Sequence, residues 1–277
     1  MQKIDIVLII VCTLFLLSSN TKYRITIVLS TISYILYTIV IGQRDMVPRI
    51  FCDRYAIKYK ENRIYNHASI YNRVLPNDVC QRLIGDSIRF EYEGYPSPVD
   101  HQPTYQIDLY KCGLIEVTTH ALWKTVKPVY AKFVVPLVEN LSWLQGKECT
   151  LEWAFMRRYQ KNERTHVGVH KDICEFAVTL LLSDESEFKG GEFYLFKPNT
   201  TDLTHKTPDE RAEVINNIKN MPIIKQKRGD IIIYKGSSHW HGILPVSSGS
   251  RYAMIFFFNT KPLFPVQSLL DSNILGS

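Results

Sequence analysis

The chain has 277 residues, 45% of them hydrophobic, and a formal net charge of +6 at pH 7. That is enough to bury one sizeable domain and an anchor besides. No basic run is interleaved with aromatics, so nucleic acid is not an expected partner, and the mild positive excess reflects membrane flanks or an acidic substrate surface if it reflects anything.

Two apolar runs open the chain, Ile4 to Leu17 and Ile25 to Ile41, separated by a polar break from Ser18 to Arg24. Each is slightly short of the roughly twenty residues that span a bilayer comfortably. A two-helix hairpin, a single anchor and a cleaved signal peptide all fit, with a buried core helix as the bland alternative. No small-x-small cleavage site stands near Ser18-Ser19, which favours retention in a membrane. Residues 1–44 are therefore expected to be an anchor of one or two transmembrane helices. A hairpin would place both ends in the cytoplasm by the positive-inside rule, whereas a single span would deliver the remainder into a lumen.

Residues 45–100 read as a linker with a supporting helix, from Leu75 to Ile84, begun by Asn77 or Asp78. Thr118 to Leu144 carries apolar residues at helical steps (Leu122, Val126, Val129, Phe133, Leu137), and Pro128 and Pro136 should kink or split it. Such a stripe is ordinary core packing. Strands follow: Thr150 to Tyr159, Phe176 to Leu182, Phe193 to Phe196 after a Gly190-Gly191 turn, Ile231 to Tyr234, and Ser250 to Asn259. Thr207-Pro-Asp-Glu210 predicts a capped helix running to about Asn220. Five cysteines lie beyond the apolar runs (Cys52, Cys80, Cys112, Cys149, Cys174) with no Cys-x-x-Cys, so they spell neither a disulfide framework nor a zinc ribbon. Two sequons, at Asn140 and Asn199, are about what chance provides.

Among these elements sits His170-Lys171-Asp172, answered some seventy residues later by His241 and then Arg251. Extended backbone would put His170 and Asp172 on one face. Two imidazoles and a carboxylate are the ligand set of non-haem Fe(II) oxygenases, and they also suit catalytic zinc. On the last strand Arg251 shares a face with Ala253, Ile255 and Phe257, where a cation is costly unless an anion meets it. A carboxylate such as that of 2-oxoglutarate would meet it. Taken alone each residue has an ordinary reading, and the residues leave the choice between His239 and His241 open.

Residues from about 100 to 262 resemble the 2-oxoglutarate/Fe(II) dioxygenase domain of procollagen lysyl hydroxylases, within the prolyl/lysyl hydroxylase superfamily. The resemblance rests on Gln102 to Asp108 followed by Gly113-Leu114, on Leu151 to Tyr159 with its Arg-Tyr ending, and on Gly190-Gly191-Glu192. It rests also on His241-Gly-Ile-Leu-Pro245 followed by Gly249-Ser-Arg251-Tyr252. It implies His170, Asp172 and His241 as iron ligands, with His241 chosen over His239 by the offsets to Pro245 and Arg251. It implies Arg251 and Tyr159 as the residues that hold 2-oxoglutarate. Departures are an insertion after the Gly-Gly turn and Ala177 where the family carries threonine, with Thr179 two residues on.

The fold implied is mainly β with flanking helices, a double-stranded β-helix (jelly roll) over residues 101–277 behind the N-terminal transmembrane segments. The implied activity is hydroxylation of lysyl or prolyl residues in a protein or peptide, using Fe(II), 2-oxoglutarate and L-ascorbate. The resembled enzymes work in the lumen of the endoplasmic reticulum, and a homodimer is left open. A catalytically silent jelly-roll interaction protein and a zinc hydrolase are the alternatives from other classes.

Overall fold

The computed structural model describes residues 50–52, 60–197, 203–218 and 220–260. Contacts divide the chain into two units, Met1–Met46 and Val47–Ser277, and every described residue belongs to the second. The expected membrane anchor lies outside the described residues, as does Asn199. Among the described residues no helix is long and apolar enough to cross a membrane.

In chain order the elements are β1 (Ile50–Phe51), β2 (Glu61–Tyr65), β3 (Ala68–Tyr71), α1 (Asn77–Ser87), β4 (Gln106–Lys111), β5 (Leu114–Ile115), α2 (His120–Val129), a π-turn (Tyr130–Val134) and α3 (Val135–Glu139). There follow β6 (Glu148–Gln160), β7 (Val167–His170), β8 (Phe176–Leu181), β9 (Phe188–Gly190), β10 (Phe193–Leu195), α4 (Pro208–Asn216), β11 (Ile223–Ile224), β12 (Ile231–Tyr234), β13 (His241–Ile243) and β14 (Val246–Asn259). The large sheet runs β2-β3-β12-β8-β14-β6-β4-β5, with β1 pairing β6 and β9 pairing β14; a smaller sheet runs β11-β10-β13-β7. Two facing antiparallel sheets of this kind make the mainly β, jelly-roll architecture that the strand pattern predicts.

Period-two alternation sorts the side chains of the large sheet into two cores. One face of β14 carries Met254, Phe256 and Phe258, which join Met156, Val178 and Leu180 and pack on Leu122, Trp123, Val126 and Leu137 of the helical layer. The other face carries Ala253, Ile255 and Phe257, which join Phe155 and Tyr159 and meet Val167, Phe193, Leu195 and Ile243 of the smaller sheet. A third cluster on the far side of the smaller sheet gathers Val169, Tyr194, Phe196, Trp240, Leu203 and Ile215. The insertion that follows the Gly-Gly turn, including α4, therefore covers the outside of the smaller sheet.

Local details follow from residue chemistry. Pro128 lies next to the end of α2, where its missing N–H breaks the four-residue ladder, and the backbone widens into the π-turn before Pro136 opens α3. The one continuous helix expected over 118–144 is thus split in the manner its prolines require. The Thr207 hydroxyl accepts from the Glu210 N–H, and the Glu210 carboxylate accepts from the Thr207 N–H at 2.7 Å, closing the expected capping box. The helix ends at Asn216, short of Asn220, and α1 begins at Asn77 behind Pro76 with no side-chain cap. Within 45–100 the supporting helix is joined by the β2–β3 hairpin, which pairs with β12 and extends the large sheet.

Candidate metal centre

The ligand candidates meet because β7 and β13 pair directly, His241 standing opposite His170 in the register. Cross-strand partners in an antiparallel pair project to the same face, and the two imidazole centroids lie 4.3 Å apart. Asp172 follows just beyond the end of β7, its backbone N–H donating to the Gly236 carbonyl at 3.1 Å. One carboxylate oxygen lies 3.4 Å from His170 Nε2 and 3.5 Å from His241 Nε2. Ligand atoms of the three residues all fall within 4.8 Å of one another.

Each imidazole is oriented through its other nitrogen. His170 Nδ1 is 2.8 Å from the Gly168 carbonyl and His241 Nδ1 is 2.9 Å from the His239 carbonyl. A carbonyl only accepts, so each Nδ1 carries the proton and each Nε2 turns a lone pair to the centre. Burial, then the neighbouring His241, presses His170 toward its neutral form. The second carboxylate oxygen of Asp172 is buried without a hydrogen-bond partner. Neutral imidazole nitrogens, an ionised carboxylate and an orphaned oxygen converging on one point fit a divalent cation.

His239, the sequence alternative, is turned away. Its ring is fully buried, with Nδ1 2.8 Å from the Phe196 carbonyl and its face stacked on Tyr65 at 6.0 Å. Its backbone carbonyl nevertheless orients His241, which gives both histidines of Ser-His-Trp-His a physical function.

Arg251 and Tyr159 are also cross-strand partners, on β14 and β6, and the guanidinium carbon lies 5.4 Å from the tyrosine ring centroid. Arg251 is 1% exposed. Its guanidinium has a 3.4 Å contact with Gln226 Oε1, and among the described residues no carboxylate pairs with it. Burial lowers its pKa from the usual arginine value. His170, Asp172, His241, Tyr159 and Arg251 all line one cavity of about 50 Å³. A buried cation left without an anion costs several kcal/mol, and an anionic ligand in the cavity would relieve that cost.

Other lining residues were not singled out in the sequence. Tyr234 stands with its ring 4.7 Å from that of His241, and Thr179 faces the same space from β8. Alternation along Ile231–Tyr234 would have shown that Tyr234 shares a face with Ile232, but not that this face is the site. Ala177 and Thr179 share one face of β8, and Thr179 is the one that lines the cavity, so the threonine two residues on supplies the hydroxyl there. Gly236 is dictated by Asp172: a Cβ at 236 would lie 2.1 Å from a carboxylate oxygen. The five described cysteines are buried and none of them is joined to another in a disulfide, and Asn140 already donates its amide to the Pro136 carbonyl at 2.7 Å.

The 2OG-Fe(II) oxygenase superfamily matches residues 154–259, the stretch that holds all five residues. The "2-oxoglutarate and iron-dependent oxygenase domain-containing protein 2" of Xenopus tropicalis is 26% identical over 189 residues, covering 66% of this chain and 47% of that protein. The chain thus spans about half the length of the curated relative it matches. Among solved structures, a 2OG-Fe(II) oxygenase family oxidoreductase from Burkholderia pseudomallei is similar with TM-score 0.52, 15% identity, and coverage of 71% and 87% of the two chains. HygX from Streptomyces hygroscopicus, solved with nickel and 2-oxoglutarate, gives 0.51, 14%, and 72% and 84%. A Trichoplax adhaerens prolyl hydroxylase, in complex with a hypoxia inducible factor oxygen degradation domain peptide fragment, gives 0.51, 11%, and 70% and 84%. At such identities these three likenesses are of fold. Motif, architecture and family match agree over residues 154–259, the stretch that is similar to the 2OG-Fe(II) oxygenase superfamily.

Proposed function

We propose that the protein is an Fe(II)- and 2-oxoglutarate-dependent hydroxylase of lysyl or prolyl residues in a protein or peptide, with L-ascorbate as the reductant. The observation that carries the co-substrate assignment is Arg251, a buried guanidinium without a carboxylate partner among the described residues, in the same cavity as the three metal-ligand candidates. In this reading His170, Asp172 and His241 hold the iron. Fe(II) bound there would supply the oxidative chemistry, coupling decarboxylation of 2-oxoglutarate to substrate hydroxylation.

The chain's own residues do the remainder. Arg251 pairs with the far carboxylate of 2-oxoglutarate, and Tyr159, packed against the guanidinium, limits its swing. Phe155, Phe193, Ile255 and Phe257 wall the cavity with apolar surface, which keeps water out and strengthens the ion pair. The Gly168 and His239 carbonyls keep the Nδ1 protons in place, so both imidazoles stay turned to the metal. A peptidyl substrate is supported by the Trichoplax prolyl hydroxylase, whose structure holds a peptide on the same fold. The lean toward lysine rests on the lysyl hydroxylase resemblance. The apolar runs at 4–17 and 25–41 extend the proposal to a membrane-tethered enzyme.

The test is succinate formation by the purified full chain with Fe(II), ascorbate and 2-oxoglutarate. Slow turnover without a peptide is expected, and its loss in His170→Ala. Failure of the iron-loaded protein to bind 2-oxoglutarate would sink the proposal.

A further inference from the structure

Strand β7 carries His170 at the edge of the smaller sheet, with β13 on one side and, among the described residues, no strand on the other. An edge strand leaves backbone groups unpaired and its position weakly determined. Here the loop between Pro96 and Pro103 takes the place of the missing neighbour. Asp100 accepts from the Gly168 N–H at 3.0 Å, and its carboxylate is held from behind by Arg164 Nη2 at 2.7 and 3.0 Å. Arg164 has a side chain 1% exposed and also donates to the carbonyls of Gln102 and Pro103, at 3.1 and 3.0 Å. The loop closes on itself through the Pro96–Pro103 bridge and the Ser97 N–H bond to Gln102.

The same residue also faces the centre, since the Gly168 carbonyl accepts the Nδ1 proton of His170 at 2.8 Å. A continuous chain of charge-assisted and backbone bonds therefore runs from Arg164 to Asp100, to Gly168, to His170. We propose that Asp100, clamped by Arg164, is a positioning residue for His170 that fixes the Gly168 carbonyl and with it the direction of Nε2. The inference rests on the reading of His170 as a metal ligand and goes beyond it, because Asp100 touches no ligand atom. Burial opposes charge on Asp100, but the Gly168 N–H and Arg164 outweigh it and hold the carboxyl below its ordinary value. The anchor is thus an ionised carboxylate at neutral pH.

The chemistry of outer-sphere partners sets the expected size. Such groups are worth about tenfold to a hundredfold in metal affinity. The probe is Co(II), titrated into the full 277-residue chain with its visible d–d band giving both affinity and ligand geometry, alongside the melting temperature. Asp100→Ala is expected to weaken Co(II) binding by about tenfold to a hundredfold and to change the band, at temperatures where the protein is folded. Asp100→Asn keeps an acceptor for the Gly168 N–H but leaves Arg164 unneutralised, and should weaken binding by about threefold or more while folding normally. A lowered melting temperature with unchanged Co(II) affinity and band, in either variant that folds, means a structural role only and overturns the proposal. If wild type takes up no Co(II), or His170→Ala binds it as tightly, the metal-site reading itself is what fails.

Discussion

On the proposed reading, Arg251 sets the chemistry that a metal-ligand triad leaves undecided. Two histidines and an aspartate accept zinc as readily as iron, but a buried guanidinium opposite Tyr159 calls for a carboxylate in the same cavity. Arg251→Ala should weaken 2-oxoglutarate binding by about tenfold to a hundredfold, the worth of hydrogen bonds to a charged group, while Fe(II) affinity holds. Calorimetric titration of each ligand in turn checks this, and equal loss of both would remove the assigned role. Gly236 is the second decisive position. A methyl group there would meet a carboxylate oxygen of Asp172 at 2.1 Å, so Gly236→Ala should abolish high-affinity metal binding while circular dichroism shows the fold intact. An alanine variant that binds metal normally would mean that the Asp172 loop is not held where the structure has it.

At the scale of elements, the strands were legible and their partners were not. Alternation on Ser250 to Asn259 placed Arg251 with Ala253, Ile255 and Phe257, and those residues do line the site. The apolar signal extends through Phe256, fully buried between the sheet and the helical layer. Phe256→Ala should cost about 3–5 kcal/mol in chemical denaturation, as large core truncations do. What local pattern could not supply was pairing. Nothing near Glu61 to Tyr71 announces that the hairpin docks on β12, because strand partners are chosen by tertiary packing. Nor could spacing alone separate His239 from His241, since both lie in one short apolar stretch. Resemblance favoured His241, and the fold sets its ring beside His170 and Asp172 while that of His239 stacks on Tyr65. Gly190-Gly191 was visible as a turn, but its tightness became clear only in the fold, where a Cβ at 190 would lie 2.1 Å from the Pro245 carbonyl oxygen and φ is +76°.

For the whole molecule, metal and fold are linked through the same buried groups. Burial lowers the pKa of His170 from 6.5, so above that value the imidazole is neutral in folded and unfolded chains and stability is indifferent to it. As pH falls below 6.5, the unfolded chain takes up the proton more readily than the folded one, and stability declines. Metal binding requires the neutral imidazole and so steepens the trend in the same direction. A metal at a hundred times its Kd should add about 2.7 kcal/mol at pH 7.5, read as a raised melting temperature. The increment should shrink steadily toward pH 5. A metal-induced shift that grows on acidification would contradict the ligand set.

The pairing of β7 with β13 has one more consequence, which concerns time. A ribosome releases His170 and Asp172 roughly seventy residues before His241, an interval on the order of 4–14 s at ordinary elongation rates. Arg251 and the strand that carries it come later still. During that interval the nascent chain holds two of the three proposed ligands, one imidazole and one carboxylate, which grip metal poorly. On the proposed reading, ion selection is thereby deferred until β14 is made and the two sheets can close on the site.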